Sequence, residues 1–143
     1  MFVTLLLMLE FNIAAFACSF PDSGFPLKDK VSWWLSNSAA VFTGEVMKLE
    51  RIQGTPEMAV TLSVDEFWKG DLTGTVVVTT EIMPGMSCGY DFDIGATYLV
   101  YASRRVDGLE TGRCSGNRQR YDPNAKEQVI LLGKSKVPER KRL

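Results

Sequence analysis

Apolar and polar residues alternate through the middle of the chain, which is the pattern of half-buried β-strands. Val60, Leu62 and Val64 are separated by polar neighbours, so their side chains should face the same side of a sheet. Turn-forming residues separate this segment from similar segments before and after it. The pattern predicts five strands, at residues 39–49, 60–67, 74–80, 97–103 and 109–114.

A short helix is predicted before the first strand, at residues 28–37. Val31, Trp34 and Leu35 have the spacing that places side chains on one face of a helix. Trp33 should lie at the margin of that face. The apolar face predicts that this helix packs against the sheet.

A second helix is predicted after the last strand. Asp122 is a good N-cap, Pro123 suits the first position of a helix, and Gly133 is a residue type that ends helices. Three apolar side chains of this helix should turn inward: Val129, Ile130 and Leu132.

Five short strands between two helices predict a mainly β fold. The commonest small closed arrangement of five strands is the OB-fold, so we expect an OB-fold-like Greek-key barrel with a short helix before the strands and a helix after them. The length of 143 residues and the hydrophobic content of 45% suit a single domain with a modest core. Periodicity alone does not distinguish this barrel from another small barrel or a sandwich.

The N-terminal residues have a different composition from the rest of the chain. Residues 1–9 are almost entirely apolar, and Ala15 and Ala17 are small residues at the two positions that signal peptidase recognises before Cys18. The alternative is a buried N-terminal strand or helix, because the apolar run is too short to span a bilayer. We predict a secreted, periplasmic or cell-envelope protein. Its expected parts are a signal peptide at 1–17, a domain at 18–133 and a basic, solvated tail at 134–143.

The charge balance argues against a nucleic-acid partner. Residues 1–17 contain Glu10, one of the 17 acidic residues, and none of the 16 basic residues, so the mature chain would have no net charge. Binding to nucleic acids or anionic membranes relies on a positive excess. The alternative is nucleic-acid binding by an OB-fold through Arg113, Arg118 and Arg120.

The residue types argue against an enzyme. The chain contains no histidine, which is the commonest general base and zinc ligand. Cys-x-x-Cys, phosphate-binding glycine loops and Gly-x-Ser-x-Gly are also missing. Asp65 and Glu66 should point to opposite faces of a strand, and a pair such as Asp91 and Asp93 is more often solvated than catalytic. We predict no catalytic residue, cofactor or intrinsic metal.

Several short motifs occur in a definite order along the chain: Cys18-Ser19, Phe67-Trp68-Lys69-Gly70, Cys88-Gly89-Tyr90, Tyr98-Leu99-Val100-Tyr101 and the segment 109–115. Together they resemble the netrin-like module of the tissue inhibitors of metalloproteinases, in its compact one-domain bacterial form. The resemblance covers most of residues 18–133. It implies a protein-binding module whose partner is a zinc metalloprotease.

The resemblance also implies a mechanism. In this family, the α-amine and carbonyl of the N-terminal residue chelate the protease's catalytic zinc and displace the water that would attack substrate. By resemblance, Cys18 is the chelating residue and Ser19 enters the protease's specificity pocket. Neither role follows from the composition or periodicity of this chain.

The disulfide pattern departs from that of the family. The resemblance implies a bridge from Cys18 to Cys88 that holds the N-terminus in place. The family has a second cysteine where this chain has Phe20, which leaves Cys114 without its usual partner. A bridge from Cys88 to Cys114 is the alternative. Loop-closure entropy gives about 4.4 kcal/mol for the first bridge and about 3.6 kcal/mol for the second, so it does not decide between them.

A second function is compatible with the same N-terminus. Acylation of Cys18 would make the protein a lipid-anchored envelope protein or interaction domain with no inhibitory activity. Phe16 departs from the lipoprotein cleavage box, which favours a small residue at that position. Contact with a membrane is expected only in this alternative. The sequence does not predict an oligomeric state.

Overall fold

The computed structural model describes residues 24–82 and 88–139, which form a mainly β fold with a helix at each end of the strand series. The predicted mainly β class and the two flanking helices are confirmed, but the structure has six strands instead of the five predicted. The elements are α1 (Leu27–Asn37), β1 (Ala40–Ile52), β2 (Glu57–Lys69), β3 (Thr75–Glu81), β4 (Thr97–Arg105), β5 (Gly108–Glu110), β6 (Arg118–Gln119) and α2 (Pro123–Leu132).

Hydrogen bonding between the strands runs in a ring through five of them. The order is β1-β2-β3-β5-β4, and β4 also pairs with β1. Four of these five contacts are antiparallel, whereas β3 and β5 are parallel and share only two residue pairs, Val78 with Leu109 and Thr79 with Glu110. The short strand β6 adds to β4 beside Tyr98. The β3–β5 contact is therefore the shortest strand pairing in the ring.

The long strand β1 bends so that it pairs with β2 along its whole length and with β4 along its first half. Its register against β2 shifts at three places, and such bulges bend a strand and increase its twist. Gly44 lies at one of these shifts, where an added Cβ would come within 2.8 Å of the Ser63 carbonyl oxygen. Glycine is needed here because the two backbones approach closely.

The interior of the ring is filled by one face of each long strand. Val60, Leu62 and Val64 are buried, as their alternation predicts, and Thr61 between them is partly exposed. Further side chains complete this main cluster: Ala40, Phe42, Val46, Val78, Phe92, Tyr98, Val100 and Ala102.

A second apolar cluster joins the helices to the outside of the ring. Val31 and Trp34 of α1 are buried against Leu99 and Tyr101 of β4, and Leu35 packs at the edge of this cluster. The predicted apolar face of α1 is therefore confirmed. No helix within residues 24–82 and 88–139 combines the length and apolarity needed to cross a bilayer.

The ends of α2 are confirmed, but one of its predicted inward residues is wrong. The Asp122 carboxylate accepts the Asn124 N–H at 2.8 Å, and Gly133 follows the helix with φ of 79°. Ile130 is 79% exposed. The side chains that face inward are Ala125 and Gln128, with Val129 and Leu132 partly buried beside them. Ile130 lies about 200° around the helix from Gln128, so it points to the other side.

The predicted fifth strand is shorter than expected, because the chain turns away from β4 after Glu110. Thr111 still donates its N–H to the Thr79 carbonyl and its hydroxyl to the Tyr101 carbonyl. The next residues then turn toward Cys88, so the strand does not continue to residue 114.

The start of the predicted solvated tail is bound to the sheet. Lys136 and Phe67 exchange two backbone hydrogen bonds of 2.8 and 2.7 Å, and the Ser135 hydroxyl donates to the Glu66 carboxylate at 2.9 Å. Residues 135 and 136 of the predicted solvated tail are therefore bonded to β2, whereas the side chains of Lys134 and Lys136 are exposed. The part of β2 beyond its pairing with β3 has free backbone groups, and residue 136 satisfies two of them.

Candidate functional site

The segments that begin at Cys88 and end at Cys114 meet at one end of the ring. Because β3 and β5 run parallel, the chain leaves both strands at the same end. The Cys88 carbonyl accepts the Arg113 N–H at 2.7 Å. Cys88 is exposed, whereas Cys114 is partly buried. Cys18 and Ser19 lie outside the described residues, so their roles and the pairing of the three cysteines stay predictions.

Close packing fixes the contact between these two segments. A Cβ atom on Gly112 would overlap the Cys88 carbonyl oxygen, so only glycine allows this approach. Two residues after Cys88, the Tyr90 N–H donates to the Thr80 hydroxyl at 2.9 Å. Burial, together with the neighbouring Tyr98, raises the pKa of the Tyr90 phenol. The Cys88 segment is therefore attached both to β3 and to the loop after β5.

A buried amide side chain closes the loop from Thr111 to Asn117, which we call the Cys114 loop. Asn117 is fully buried, and its Oδ1 accepts the Tyr101 N–H at 2.8 Å. Its Nδ2 donates to the Thr111 hydroxyl oxygen at 2.7 Å, and that hydroxyl donates to the Tyr101 carbonyl at 2.7 Å. Both ends of the Cys114 loop are thus bound to the same residue of β4.

A second buried amide ties the loop to α2. The Tyr101 hydroxyl donates to Gln128 Oε1 at 2.8 Å, and Gln128 Nε2 donates to the Gly116 carbonyl at 3.2 Å. Burial raises the pKa of the Tyr101 phenol, so the hydroxyl keeps its proton and remains a donor at neutral pH. Tyr101 therefore connects β4 with α2, and Gln128 of α2 connects the helix with the Cys114 loop.

The indole ring of Trp34 in α1 packs against the Cys114 loop. An added Cβ on Gly116 would come within 2.5–2.8 Å of three ring carbons of Trp34. The same ring lies 5.5 Å from the ring of Tyr101, measured between centroids. The Cys114 loop is consequently held between α1, β4 and α2.

A positively charged cleft of about 300 Å³ opens beside Cys114. The Arg118 guanidinium donates to the Asn117 carbonyl at 2.8 Å, which orients this side chain along the cleft. Among residues 24–82 and 88–139, neither Asp nor Glu lines the cleft. Its lining residues are Lys30, Trp34, Arg113, Cys114, Ser115 and Arg118.

Cys88 borders a different cleft of about 260 Å³, on the side of β3 and β5, with a different charge. Glu57, Glu81 and Glu110 line it together with Arg105. Arg105 pairs with Glu57 at 2.8 Å and with Asp107 at 2.6 Å, which joins β2, β4 and the turn after β4. The two clefts are thus basic beside Cys114 and mainly acidic beside Cys88.

The other charged residues singled out from the sequence do not form a single site. Arg113 and Arg118 line the basic cleft, whereas Arg120 lines another cleft with Tyr121 and Lys126. Asp91 and Asp93 are both exposed, in agreement with the solvated reading of this pair. Within residues 24–82 and 88–139, no group of three or more acidic or cysteine side chains is arranged to hold a metal ion.

Sequence reasoning missed the residues that hold the Cys114 loop. Thr111, Asn117 and Gln128 are polar, so hydrophobic periodicity does not mark them as buried. Only the burial of Gln128 could have been predicted, because this residue lies one helical turn after Ala125 and one turn before Leu132, on the inward face of α2.

Comparison with known proteins adds no assignment: no protein-family model matches this chain, and no curated protein matches it.

Proposed function

We propose that this protein is an exported protein-binding module with an OB-fold-like Greek-key barrel of the netrin-like type, and that it inhibits a zinc metalloprotease through Cys18. One observation carries the proposal. The segments of Cys88 and Cys114 meet at the same end of the ring, and the Cys114 loop is held by buried side chains on three sides. A disulfide from Cys18 to either cysteine would tether the mature N-terminus to this rigid end.

The length of chain between Cys18 and the described residues is compatible with this tether. Five residues lie between Cys18 and Gly24, and the six Cα–Cα steps that join these two residues span up to about 20 Å when the chain is extended. Helix α1 begins three residues later, and its residues Lys30 and Trp34 line the same cleft as Cys114. The N-terminus can therefore reach the Cys114 loop without rearrangement of the ring.

Rigid attachment matters because of the chemistry of chelation. A neutral α-amine and the carbonyl of the same residue provide two ligands for a protease's zinc in place of the hydrolytic water. An N-terminus that is already held in position loses less conformational entropy on binding than a mobile one. The hydroxymethyl group of Ser19 is small enough for a narrow specificity pocket.

The proposal is tested with protein that begins at Cys18. Such protein should inhibit at least one member of a panel of zinc metalloprotease catalytic domains. The same protein with an acetylated N-terminus should not inhibit that protease, because the lone pair of an amide nitrogen is delocalised into the carbonyl group and does not bind the metal. Equal inhibition by the two forms would refute chelation by the amine.

Two further measurements separate chelation from ordinary surface binding. An α-amine has an unperturbed pKa of about 7.7 to 8, so inhibition should strengthen as pH rises through that range, after correction for the protease's own titration. Ser19→Arg should weaken inhibition because a long charged side chain does not fit a narrow pocket, whereas Ser19→Ala should preserve it. Equal inhibition by Ser19→Arg and Ser19→Ala would argue against insertion of this side chain.

The intact mass of protein from its own cell envelope tests the N-terminus itself. Cleavage before Cys18 with no added mass, and only the loss of two hydrogen atoms for each disulfide, is the expected result. An acylated Cys18 would favour the lipoprotein alternative, because an acylated amine does not chelate zinc. Peptide mapping without reduction would identify the cysteine that is bonded to Cys18.

A further inference from the structure

We propose that the basic cleft beside Cys114 is a recognition site for a carboxylate side chain that the partner protease presents at the rim of its active site. The inference rests on the proposed function and adds the chemistry of the partner surface. The proposed contact joins the basic cleft to a side chain of the protease, and it is separate from the contact between Cys18 and the protease's zinc.

Three cationic side chains from different parts of the fold converge on this cleft. Lys30 comes from α1, Arg113 from the Cys114 loop and Arg118 from β6. Its volume of about 300 Å³ admits the carboxylate end of an Asp or Glu side chain. A guanidinium group binds a carboxylate through two parallel hydrogen bonds, which makes arginine well suited to this ligand.

The Arg118 guanidinium and the backbone of Arg113 are held in position before any partner binds. Arg118 donates to the Asn117 carbonyl at 2.8 Å, and the Asn117 side chain is fixed by buried hydrogen bonds to Thr111 and Tyr101. The Arg113 N–H is bound to the Cys88 carbonyl. A preorganised guanidinium loses little freedom when it binds a carboxylate, so the contact of Arg118 with Asn117 favours binding.

The charges of the cleft also favour an anionic partner. The ion pairs between described residues involve Lys48 and Arg105, and neither Arg113 nor Arg118 takes part in them. The like charges of Arg113 and Arg118 repel each other across the cleft, and an incoming carboxylate relieves this repulsion. The cleft borders Cys114, so it lies on the surface that the proposed function turns toward the protease. This position favours a protein carboxylate over a free anion.

The first test does not require a protease. Backbone and indole NMR signals of the mature protein are followed while N-acetylated triglutamate is added, and inorganic phosphate is added in a parallel titration. We expect saturable shifts at Arg113, Ser115 and the Trp34 indole with the peptide. Arg113→Gln should abolish them, and because Arg113 is exposed this variant should fold normally. Arg104→Gln, which changes an exposed cation outside the cleft, should preserve them.

Two outcomes of this titration would overturn the inference. The first is the absence of saturable shifts with the peptide, or shifts that are the same in Arg113→Gln. The second is saturable binding of phosphate with none of the peptide, which would identify a site for a small free anion. Tighter binding of the peptide than of phosphate supports a protein carboxylate.

The second test uses a protease that the mature protein inhibits. Reversal of both charges, Arg113→Glu with Arg118→Glu, should weaken inhibition roughly tenfold at low salt, mainly through slower association. The loss should shrink as salt increases, since salt screens exposed charges. The matched control, Arg51→Glu with Arg104→Glu, should change inhibition less than about twofold.

The outcomes of the second test separate the inference from the proposed function. Inhibition that is equally strong in both reversal variants would overturn the inference and leave zinc chelation standing. If no protease in the panel is inhibited, the proposed function fails, and the peptide titration alone decides whether the cleft binds carboxylates.

Discussion

Replacement of Gly116 by alanine tests the packing that holds the Cys114 loop. The added Cβ would come within 2.5, 2.6 and 2.8 Å of three carbons of the Trp34 ring. Carbon atoms in contact normally lie about 3.5–4.0 Å apart, so the ring or the loop must move by roughly 1 Å. Trp34 is only 7% exposed and lies against Tyr101, and the Gly116 carbonyl is bound to Gln128. Neither side of the contact moves without losing other interactions.

Overpacking of this kind costs about 1–3 kcal/mol, so Gly116→Ala should lower the free energy of unfolding by an amount in that range. Gly74→Ala is the matched control, because an added Cβ there meets no atom within 4 Å. It should change the free energy of unfolding by no more than about 0.5 kcal/mol. Urea unfolding followed by circular dichroism gives both values, provided that the m-value is unchanged.

A double-mutant cycle identifies the cause. Trp34→Leu removes the ring, so in its presence Gly116→Ala should cost clearly less than in the wild-type protein. The expected coupling between the two positions is about 1 kcal/mol or more. Equal costs of Gly116→Ala and Gly74→Ala, or a cycle with no coupling, would refute the packing of Trp34 on the loop.

Three other predictions concern the core and the buried hydrogen bonds. Leu62→Ala should cost about 2–5 kcal/mol in urea unfolding and Thr61→Ala much less, and equal costs would mean that the register of β2 is wrong. Gln128→Leu should cost about 1–3 kcal/mol because it leaves the buried Tyr101 hydroxyl unsatisfied, whereas Lys126→Ala should change stability by no more than about 0.5 kcal/mol; similar values for both would contradict the network. The raised pKa of Tyr101 contributes stability that is fully present below the phenol's usual pKa of about 10 and is lost as pH rises above it. The free energy of unfolding should therefore decline less steeply with pH above pH 10 in Tyr101→Phe than in the wild-type protein. An equal slope in the two proteins would contradict the burial of this phenol.

The sequence was a good guide where the structure is local. The alternation at Val60, Leu62 and Val64 predicts a buried face because side chains on a strand alternate between its two sides. The ends of α2 were predictable because Asp122 and Gly133 act on neighbouring backbone groups. Both signals depend only on residues close together in the chain.

The sequence was a poor guide where the structure depends on distant residues. Periodicity indicates that a strand has an inner face but not which strand lies beside it, so the parallel contact of β3 with β5 was not predicted. The early end of β5 follows from contacts of Thr111 with Tyr101 and of Arg113 with Cys88, which no local pattern reveals. The exposed Ile130 shows that an apolar side chain does not by itself mark the inner face of a helix.

The candidate site was predictable only in part for the same reason. The motifs identified the segments of Cys88 and Cys114, and the structure brings these segments together. The residues that hold the Cys114 loop, among them Asn117 and Gln128, are polar and far apart in the sequence. Their importance follows from where they are buried, and burial of single polar residues is not visible in the pattern.

The most direct test of zinc chelation by Cys18 is to add one alanine before it. Protein that begins at Cys18 and protein that begins with the extra alanine are compared against a metalloprotease that the first form inhibits. The extra residue moves the free amine away from Cys18, so the extended form should not inhibit, and removal of the alanine by an aminopeptidase should restore inhibition. If the extended form inhibits as strongly as the form that begins at Cys18, chelation by the Cys18 amine is wrong.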